Sequence, residues 1–86
     1  MTKYEVEVSA TAEKQIRKLE KVDQVRVLKA VAALASEPHP AGCRKLRGFD
    51  DVYRIRVEVL RVIYNVADRR LIVIVLKIGH RRDVYR

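Results

Sequence analysis

Residues 52–67 read VYRIRVEVLRVIYNVA, and this stretch decides the fold. Apolar and polar side chains alternate with a period of two on both sides of Glu58-Val59, which predicts β-strands over 52–57 and 60–67. Because the connection between them is so short, the two strands form an antiparallel hairpin.

The hairpin collects arginines on one face of the predicted sheet. Alternation points Arg54 and Arg56 to the same side, and the hairpin returns Arg61 opposite or diagonal to Arg56. Like charges across strands cost up to ~1 kcal/mol per pair, so the cluster is typical of a surface that binds an anion. The alternative is a solvated strand face whose arginine stems cover apolar surface.

The N-terminal half predicts a strand and two helices. Tyr4 to Val8 alternates as a strand, and Ser9 can cap the helix that follows. We expect a break near Val22-Asp23 and an end to the second helix at Pro38-His39-Pro40. The predicted core-facing residues of the helices are Ala12, Ile16, Leu19, Val27, Leu28, Val31, Leu34 and Ala35.

The remaining segments complete an α+β domain. Residues 44–47 predict a short edge strand, and 71–78 predict a central strand that is apolar on both faces. Gly79 is expected to release the chain into a tail. The order β-α-α-β-β-β, with one more short strand, predicts a two-layer fold in which both helices cover one face of a twisted, mainly antiparallel sheet.

Length and charge narrow the class of protein. Eighty-six residues predict a single domain over 1–86, and the net charge is +8. Residues 1–43 hold seven basic and six acidic side chains, whereas 44–86 hold twelve and five. An arginine-rich second half favours a polyanionic partner, nucleic acid above all. No apolar run is long enough for a membrane span, and a lone Cys43 with no leader sequence fits the cytoplasm.

Several kinds of chemistry lack the residues they require. His39 and His80 have no cysteine or carboxylate at ligand spacing, so neither a metal site nor a cofactor is expected. There is no glycine-rich phosphate loop, and Ser9 fits a helix cap better than a nucleophile. A nuclease with this composition would use a ribose 2′-hydroxyl to attack the neighbouring phosphate, which restricts its substrate to RNA.

Four motifs in order resemble the RelE/ParE superfamily of bacterial toxins, on the RelE side. They are Lys45-Leu46-Arg47-Gly48, Tyr53-Arg54-Ile55-Arg56-Val57, Arg61-Val62-Ile63-Tyr64 and Gly79-His80-Arg81-Arg82-Asp83-Val84-Tyr85. The resemblance covers essentially the whole chain. It implies a toxin that enters the ribosomal A site and cleaves mRNA there without a metal, and that a cognate antitoxin neutralises through an acidic amphipathic segment in a heteromeric complex.

The resemblance also implies site residues. Arg61 matches an arginine that stabilises the scissile phosphate, Arg81 one that assists the leaving 5′-oxygen, and Tyr85 a tyrosine that orients the nucleotide. Arg54 and Arg56 stand where the best-studied relative has lysines. The implied catalytic set is Arg56, Arg61, Arg81 and Tyr85, and the implied RNA-binding set is Lys45, Arg47, Arg54, His80 and Arg82.

One departure concerns the general base. A lysine can accept a proton, whereas a guanidinium is not deprotonated in proteins, so Arg56 cannot take that role. Either His80 accepts the proton or stabilisation of charge carries more of the barrier. Two other functions stay open, a ParE-like inhibitor of DNA gyrase and an inactive basic binding module, because one fold supports several activities.

Overall fold

The computed structural model describes residues 3–80. These residues form β1 (Glu5–Val8), α1 (Ala10–Arg17), α2 (Lys21–Ala33), β2 (Arg44–Lys45), β3 (Val52–Val57), β4 (Leu60–Ala67) and β5 (Ile72–His80). No helix within this part of the chain is long and apolar enough to cross a membrane.

The strands form one mainly antiparallel sheet in the order β1-β5-β4-β3-β2. β3 and β4 are joined as the predicted hairpin, and both β2–β3 and β4–β5 are antiparallel. β1 pairs parallel to β5, and a parallel pair requires a long connection. Both helices and the strands β2 to β4 lie between them in the chain and provide it. The predicted α+β architecture is confirmed, and the short edge strand spans only Arg44–Lys45.

Both helices pack on the same face of the sheet and form the core with it. Tyr64 is fully buried at the centre of this layer, and Leu34 and Ile78 are nearly so. The helices contribute Ala12, Ile16, Val27, Val31 and Leu34, and the sheet contributes Ile55, Leu60, Val62, Tyr64, Val66, Val73, Val75 and Ile78. The opposite face carries no helix from the described residues, and the arginines lie there.

Side chains of α1 tie that helix to β5. The Ser9 Oγ caps α1 by accepting a hydrogen bond from the Ala12 N–H at 3.1 Å, as predicted, and donates to the Leu76 carbonyl at 3.0 Å. The Gln15 Oε1 accepts a hydrogen bond from the Ile78 N–H at 2.7 Å. These contacts hold α1 against the C-terminal half of β5.

The break between the helices was predicted at the wrong place. α2 begins at Lys21, with Glu20 in extended conformation as its N-cap, so Asp23 lies in the first turn of α2. There its carboxylate is stabilised by the positive end of the helix dipole. Gln24 closes the junction, because its Nε2 donates to the Leu19 carbonyl at 2.9 Å.

The buried stripe of α2 is also narrower than predicted. Val27, Val31 and Leu34 face the sheet at i, i+4 and i+7, whereas Leu28 lies about 100° around the helix and is 50% exposed. The prediction that Leu28 belongs to the core is therefore wrong.

The end of the last strand was misjudged as well. β5 continues through Gly79 to His80, because Gly79 pairs with Arg61 and His80 with Leu60. The same ladder contains a register shift between Ile63 and Tyr64. Val75 pairs with Tyr64 but Lys77 pairs with Ile63, so β5 carries one extra residue there, a β-bulge.

Candidate functional site

Two pairs of arginines face each other across neighbouring strands. Arg56 lies directly opposite Arg61 on β4, which is one of the two positions, opposite or diagonal, that the hairpin predicted. Arg44 on the edge strand β2 lies directly opposite Arg54. Residues paired in this way share a face, and Arg54 and Arg56 share a face by alternation. All four guanidinium groups therefore belong to the sheet surface away from the helices.

The bulge adds a fifth cation to this surface. Without it, Lys77 would follow Val73 and Val75 onto the buried, helix-facing side. The extra residue shifts Lys77 opposite Ile63, which shares the face of Arg61. We call the surface formed by Arg44, Arg54, Arg56, Arg61 and Lys77 the arginine face.

These side chains differ in their exposure to water. Arg44, Arg56 and Lys77 are exposed, and Arg54 is half-buried. Arg61 is only 5% exposed, which the sequence pattern did not indicate. A guanidinium keeps its charge when buried, and a reduced dielectric strengthens its interaction with a nearby anion. The arginine face thus has a fixed charge at Arg61 and mobile charges around it.

Carboxylates of the described chain do not neutralise the exposed part of this face. Within residues 3–80 the ion pairs are Arg17–Glu13 and Arg26–Asp23, both on the helices. Arg44, Arg54 and Arg56 have no ion-pair partner among those residues. Their mutual repulsion, up to ~1 kcal/mol for a directly opposed pair, is thus available to be relieved by an external anion.

Arg56 lines three grooves at the edge of the sheet. One groove, of about 520 Å³, is lined by Gly42, Cys43, Arg44, Arg54 and Arg56. The second, of about 370 Å³, is mainly apolar and runs between the C-terminal part of α2 and β3, with Leu34, Ile55 and Arg56 in its lining. The third, of about 500 Å³, combines Arg56 with Arg26 and Lys29 of α2 and with Glu58. Of the three, the first has several cations and no carboxylate in its lining.

An aromatic cluster supports the loop that leads into the first groove. The Tyr64 hydroxyl donates a hydrogen bond to the Pro38 carbonyl at 2.8 Å. Tyr53 stacks on Tyr64 with ring centroids 6.0 Å apart, and His39 meets Tyr53 edge-on at 4.8 Å. Burial, followed by the proximity of Cys43, raises the pKa of the Tyr64 hydroxyl above its ordinary value of 10.0. These contacts fix residues 38–43 against the core.

Three of the predicted RNA-binding residues lie away from the arginine face. Lys45 pairs with Tyr53, so it belongs to the helix-facing side of the sheet edge. Arg47 is exposed in the loop after β2, at the opposite end of β3 from Arg56. His80 is exposed at the end of β5 and pairs with Leu60, a core residue.

The other predicted residues, Arg81, Arg82 and Tyr85, lie outside the described residues. No group of three or more His, Cys, Asp or Glu side chains in the described part of the chain could hold a metal ion.

Sequence reasoning missed Arg44 and Lys77 as members of the site. The side of the sheet that Arg44 occupies depends on the register of β2 with β3. The irregular connection after α2 sets this register, and no pattern in the local sequence predicts it. Lys77 changes face through the bulge, and strict alternation predicts the opposite side. Only the paired geometry reveals both residues.

Comparison with known proteins identifies the family. Residues 6–85 match the family described as the ParE toxin of type II toxin-antitoxin systems, parDE. A RelE-like toxin protein of Escherichia coli is 34% identical over 96% of this chain and 90% of its own length. The archaeal RelE in its complex with RelB from Pyrococcus horikoshii is 31% identical, with a TM-score of 0.83 over 98% of this chain and 100% of that one. RelE in the intact E. coli RelBE toxin-antitoxin complex is 29% identical, with a TM-score of 0.78 over 90% of this chain and 95% of that one.

Proposed function

Since the chain belongs to the RelE-like branch of the RelE/ParE superfamily of type II toxins, we propose that it is an endoribonuclease that cuts mRNA in the ribosomal A site. In the proposed reaction a ribose 2′-oxygen loses its proton and forms a bond to the adjacent phosphorus. The bond from phosphorus to the 5′-oxygen breaks, and that oxygen takes up a proton. The products are a 2′,3′-cyclic phosphate and a 5′-hydroxyl, and neither a metal nor a cofactor takes part.

The observation that supports this proposal is the direct opposition of Arg56 and Arg61 on the sheet face that the helices leave open. Phosphoryl transfer places additional negative charge on the phosphate oxygens, and preorganised cations stabilise that charge more strongly in a site sheltered from water. Arg61 is buried, so its charge is sheltered from water. Arg56 is exposed and can move onto the incoming phosphate.

The roles follow from the chemistry of each group. The planar guanidinium of Arg56 donates paired hydrogen bonds to phosphate oxygens, and Arg61 supplies the fixed charge beneath. Arg54 holds the RNA backbone beside them. By resemblance, Arg81 assists the leaving 5′-oxygen and Tyr85 orients the nucleotide. Lys45, Arg47, His80 and Arg82 would contact RNA beyond the scissile phosphate, at the rim of the interface.

We further propose a cytoplasmic protein that an antitoxin holds inactive in a heteromeric complex. The related RelE chains of P. horikoshii and E. coli occur in complexes with RelB. A net charge of +8, concentrated after residue 43, favours an acidic amphipathic segment as the part of the antitoxin that covers the arginine face.

Primer extension on a translated mRNA after induction tests the nuclease. We expect cuts within translated codons for the wild type and a loss of about 10²- to 10³-fold in Arg56→Gln, because one transition-state cation is removed. Arg70→Gln is the matched control, since Arg70 is an exposed arginine in the turn before β5. Cuts that persist at wild-type level in Arg56→Gln would remove this residue from the mechanism, and an uncut message would refute the nuclease.

A second candidate, inhibition of DNA gyrase, is favoured by one observation, the match to the family described as the ParE toxin. In that case induction should trigger a DNA-damage response while translated mRNA stays intact. The arginine face favours the nuclease, because a protein that only binds gyrase does not require arginines directly opposed across strands.

A further inference from the structure

The groove at the sheet edge lies beside the proposed cleavage site but does not coincide with it. Arg44 and Arg54 oppose each other across β2 and β3, and both line this groove together with Arg56. Arg54 is half-buried, whereas Arg44 is exposed. The two guanidinium groups thus form a cationic pair of the same kind as Arg56 and Arg61, one step further along the sheet.

The distance between the two pairs suits a polynucleotide. Arg54 and Arg56 are two residues apart on one face of β3, and the two pairs lie on opposite sides of that strand. Their centres are therefore about 6.6 Å apart along the strand and about 4.8 Å apart across it, a diagonal of about 8 Å. Successive phosphates in a stretched single strand, reached by long arginine side chains, suit this separation. A chain that places one phosphate at Arg56 and Arg61 and crosses β3 diagonally brings its next phosphate to Arg44 and Arg54.

We propose that Arg44 and Arg54 form a second phosphate subsite, which holds the phosphate adjacent to the scissile one. This inference rests on the proposed function for the identity of the polyanion as RNA. Opposed arginines repel each other, and neither has an ion-pair partner among residues 3–80, so a phosphate that accepts hydrogen bonds from both relieves the repulsion. The subsite binds the ground state and the transition state equally, which makes Arg44 a positioning residue rather than a catalytic one.

Direct binding measures this subsite without any cleavage. We would titrate the whole protein into fluorescently labelled 2′-O-methylated triuridylate, an RNA analogue that cannot be cut, and follow the fluorescence anisotropy. We expect saturable binding by the wild type. Arg44→Gln should require about tenfold more protein for half-saturation, because a hydrogen bond to a charged group is lost.

Two further variants sharpen this measurement. Arg44→Lys keeps the charge but loses the planar fork, so its half-saturation concentration should fall between wild type and Arg44→Gln. Arg70→Gln should match the wild type, because the charge is removed far from the groove. The subsite is refuted if the oligonucleotide does not bind, or if Arg44→Gln and Arg70→Gln bind it equally.

Cleavage kinetics on programmed ribosomes separate this inference from the proposed function. Arg44→Gln should raise KM several-fold and leave the rate at saturation within about twofold, the mark of lost uniform binding. If the wild type cuts mRNA and Arg44→Gln has an unchanged KM, the subsite fails and the nuclease stands. If the wild type cuts nothing while Arg44-dependent binding of the oligonucleotide persists, the nuclease fails and the anion site stands.

Discussion

The identity of residue 56 constrains the reaction more than any other single position. A guanidinium stays protonated, so Arg56 can bind and stabilise a phosphate but cannot take the proton of the 2′-hydroxyl. The barrier must then be lowered chiefly by the charge of Arg56 and Arg61, or the proton must go to another group. His80 is the candidate proton acceptor that the sequence motifs indicate, and its role can be tested by mutation.

We expect His80→Ala to leave the pH dependence of the cleavage rate unchanged between about pH 5 and 8. The reason is its register, because His80 pairs with the core residue Leu60 and so shares the helix-facing side. The measurement is a pH–rate profile on programmed ribosomes. A profile that loses an ionisation in the variant would instead identify His80 as the general base.

The hydroxyl of Tyr64 should contribute to stability through its bond to the Pro38 carbonyl. Tyr64→Phe leaves a buried acceptor without its donor, so the free energy of unfolding should fall by about 1–2 kcal/mol. Tyr4→Phe is the control, because its lost bond to Asp68 is exposed and should cost much less. Urea titration at pH 7 measures both, and equal losses would contradict the assignment.

The raised pKa of the Tyr64 hydroxyl predicts that the free energy of unfolding depends on pH in the alkaline range. Its pKa is raised in the folded state by burial, so the folded protein holds this proton more tightly than the unfolded chain. That contribution is complete below the unfolded pKa of about 10 and declines as the pH rises further. The stability difference between wild type and Tyr64→Phe should thus be constant up to about pH 9.5 and shrink above it, as urea midpoints would reveal.

At the level of the elements, we expect the junction of β1 and α1 to depend strongly on the side chain of Ser9. Ser9 both caps α1 and bonds to the Leu76 carbonyl beside the bulge. Ser9→Ala should lower the free energy of unfolding by about 1–2 kcal/mol. Ser36→Ala, at an exposed position after α2, should change it by less than about 0.5 kcal/mol. Similar values for the two variants would show that the cap is unimportant.

The elements also show which features the sequence could predict. Alternation over 52–57 and 60–67 predicts β3 and β4 to the residue, and with them the placement of Arg61 opposite or diagonal to Arg56. The structure shows the directly opposite pairing. Propensity did not locate the start of α2, because Glu20 caps it through its extended backbone without a side-chain hydrogen bond.

Features that depend on pairing escaped prediction. The bulge that turns Lys77 toward the arginines, the continuation of β5 through Gly79, and the register of Arg44 are properties of two strands together. A pattern along one strand carries no information about them. For this reason the shared face of Arg54, Arg56 and Arg61 could be predicted from the sequence, whereas the positions of Arg44 and Lys77 on that face could not.

For the whole molecule, the uneven charge predicts how RNA binding responds to salt. The near-neutral half contains the helices, and the basic half contains the arginine face. If about four of its cations contact phosphates, log K for single-stranded RNA should fall with log salt at a slope of about −3. Fluorescence anisotropy with a labelled oligonucleotide measures this slope. Lys14→Gln, on the exposed side of α1, should not alter it, whereas Arg56→Gln should reduce it by about 0.7.

The most direct test of the account uses purified protein and ribosomes that hold a defined codon in the A site. The message would carry either a ribose or a 2′-deoxyribose at the scissile nucleotide. We predict that the wild type cuts the all-ribose message to give a 2′,3′-cyclic phosphate and a 5′-hydroxyl, leaves the deoxy message whole, and loses its activity in Arg56→Gln but not in Arg70→Gln. Cleavage of the deoxy message, or equal activity in the two variants, would contradict the claim that the arginine face promotes attack by the 2′-hydroxyl.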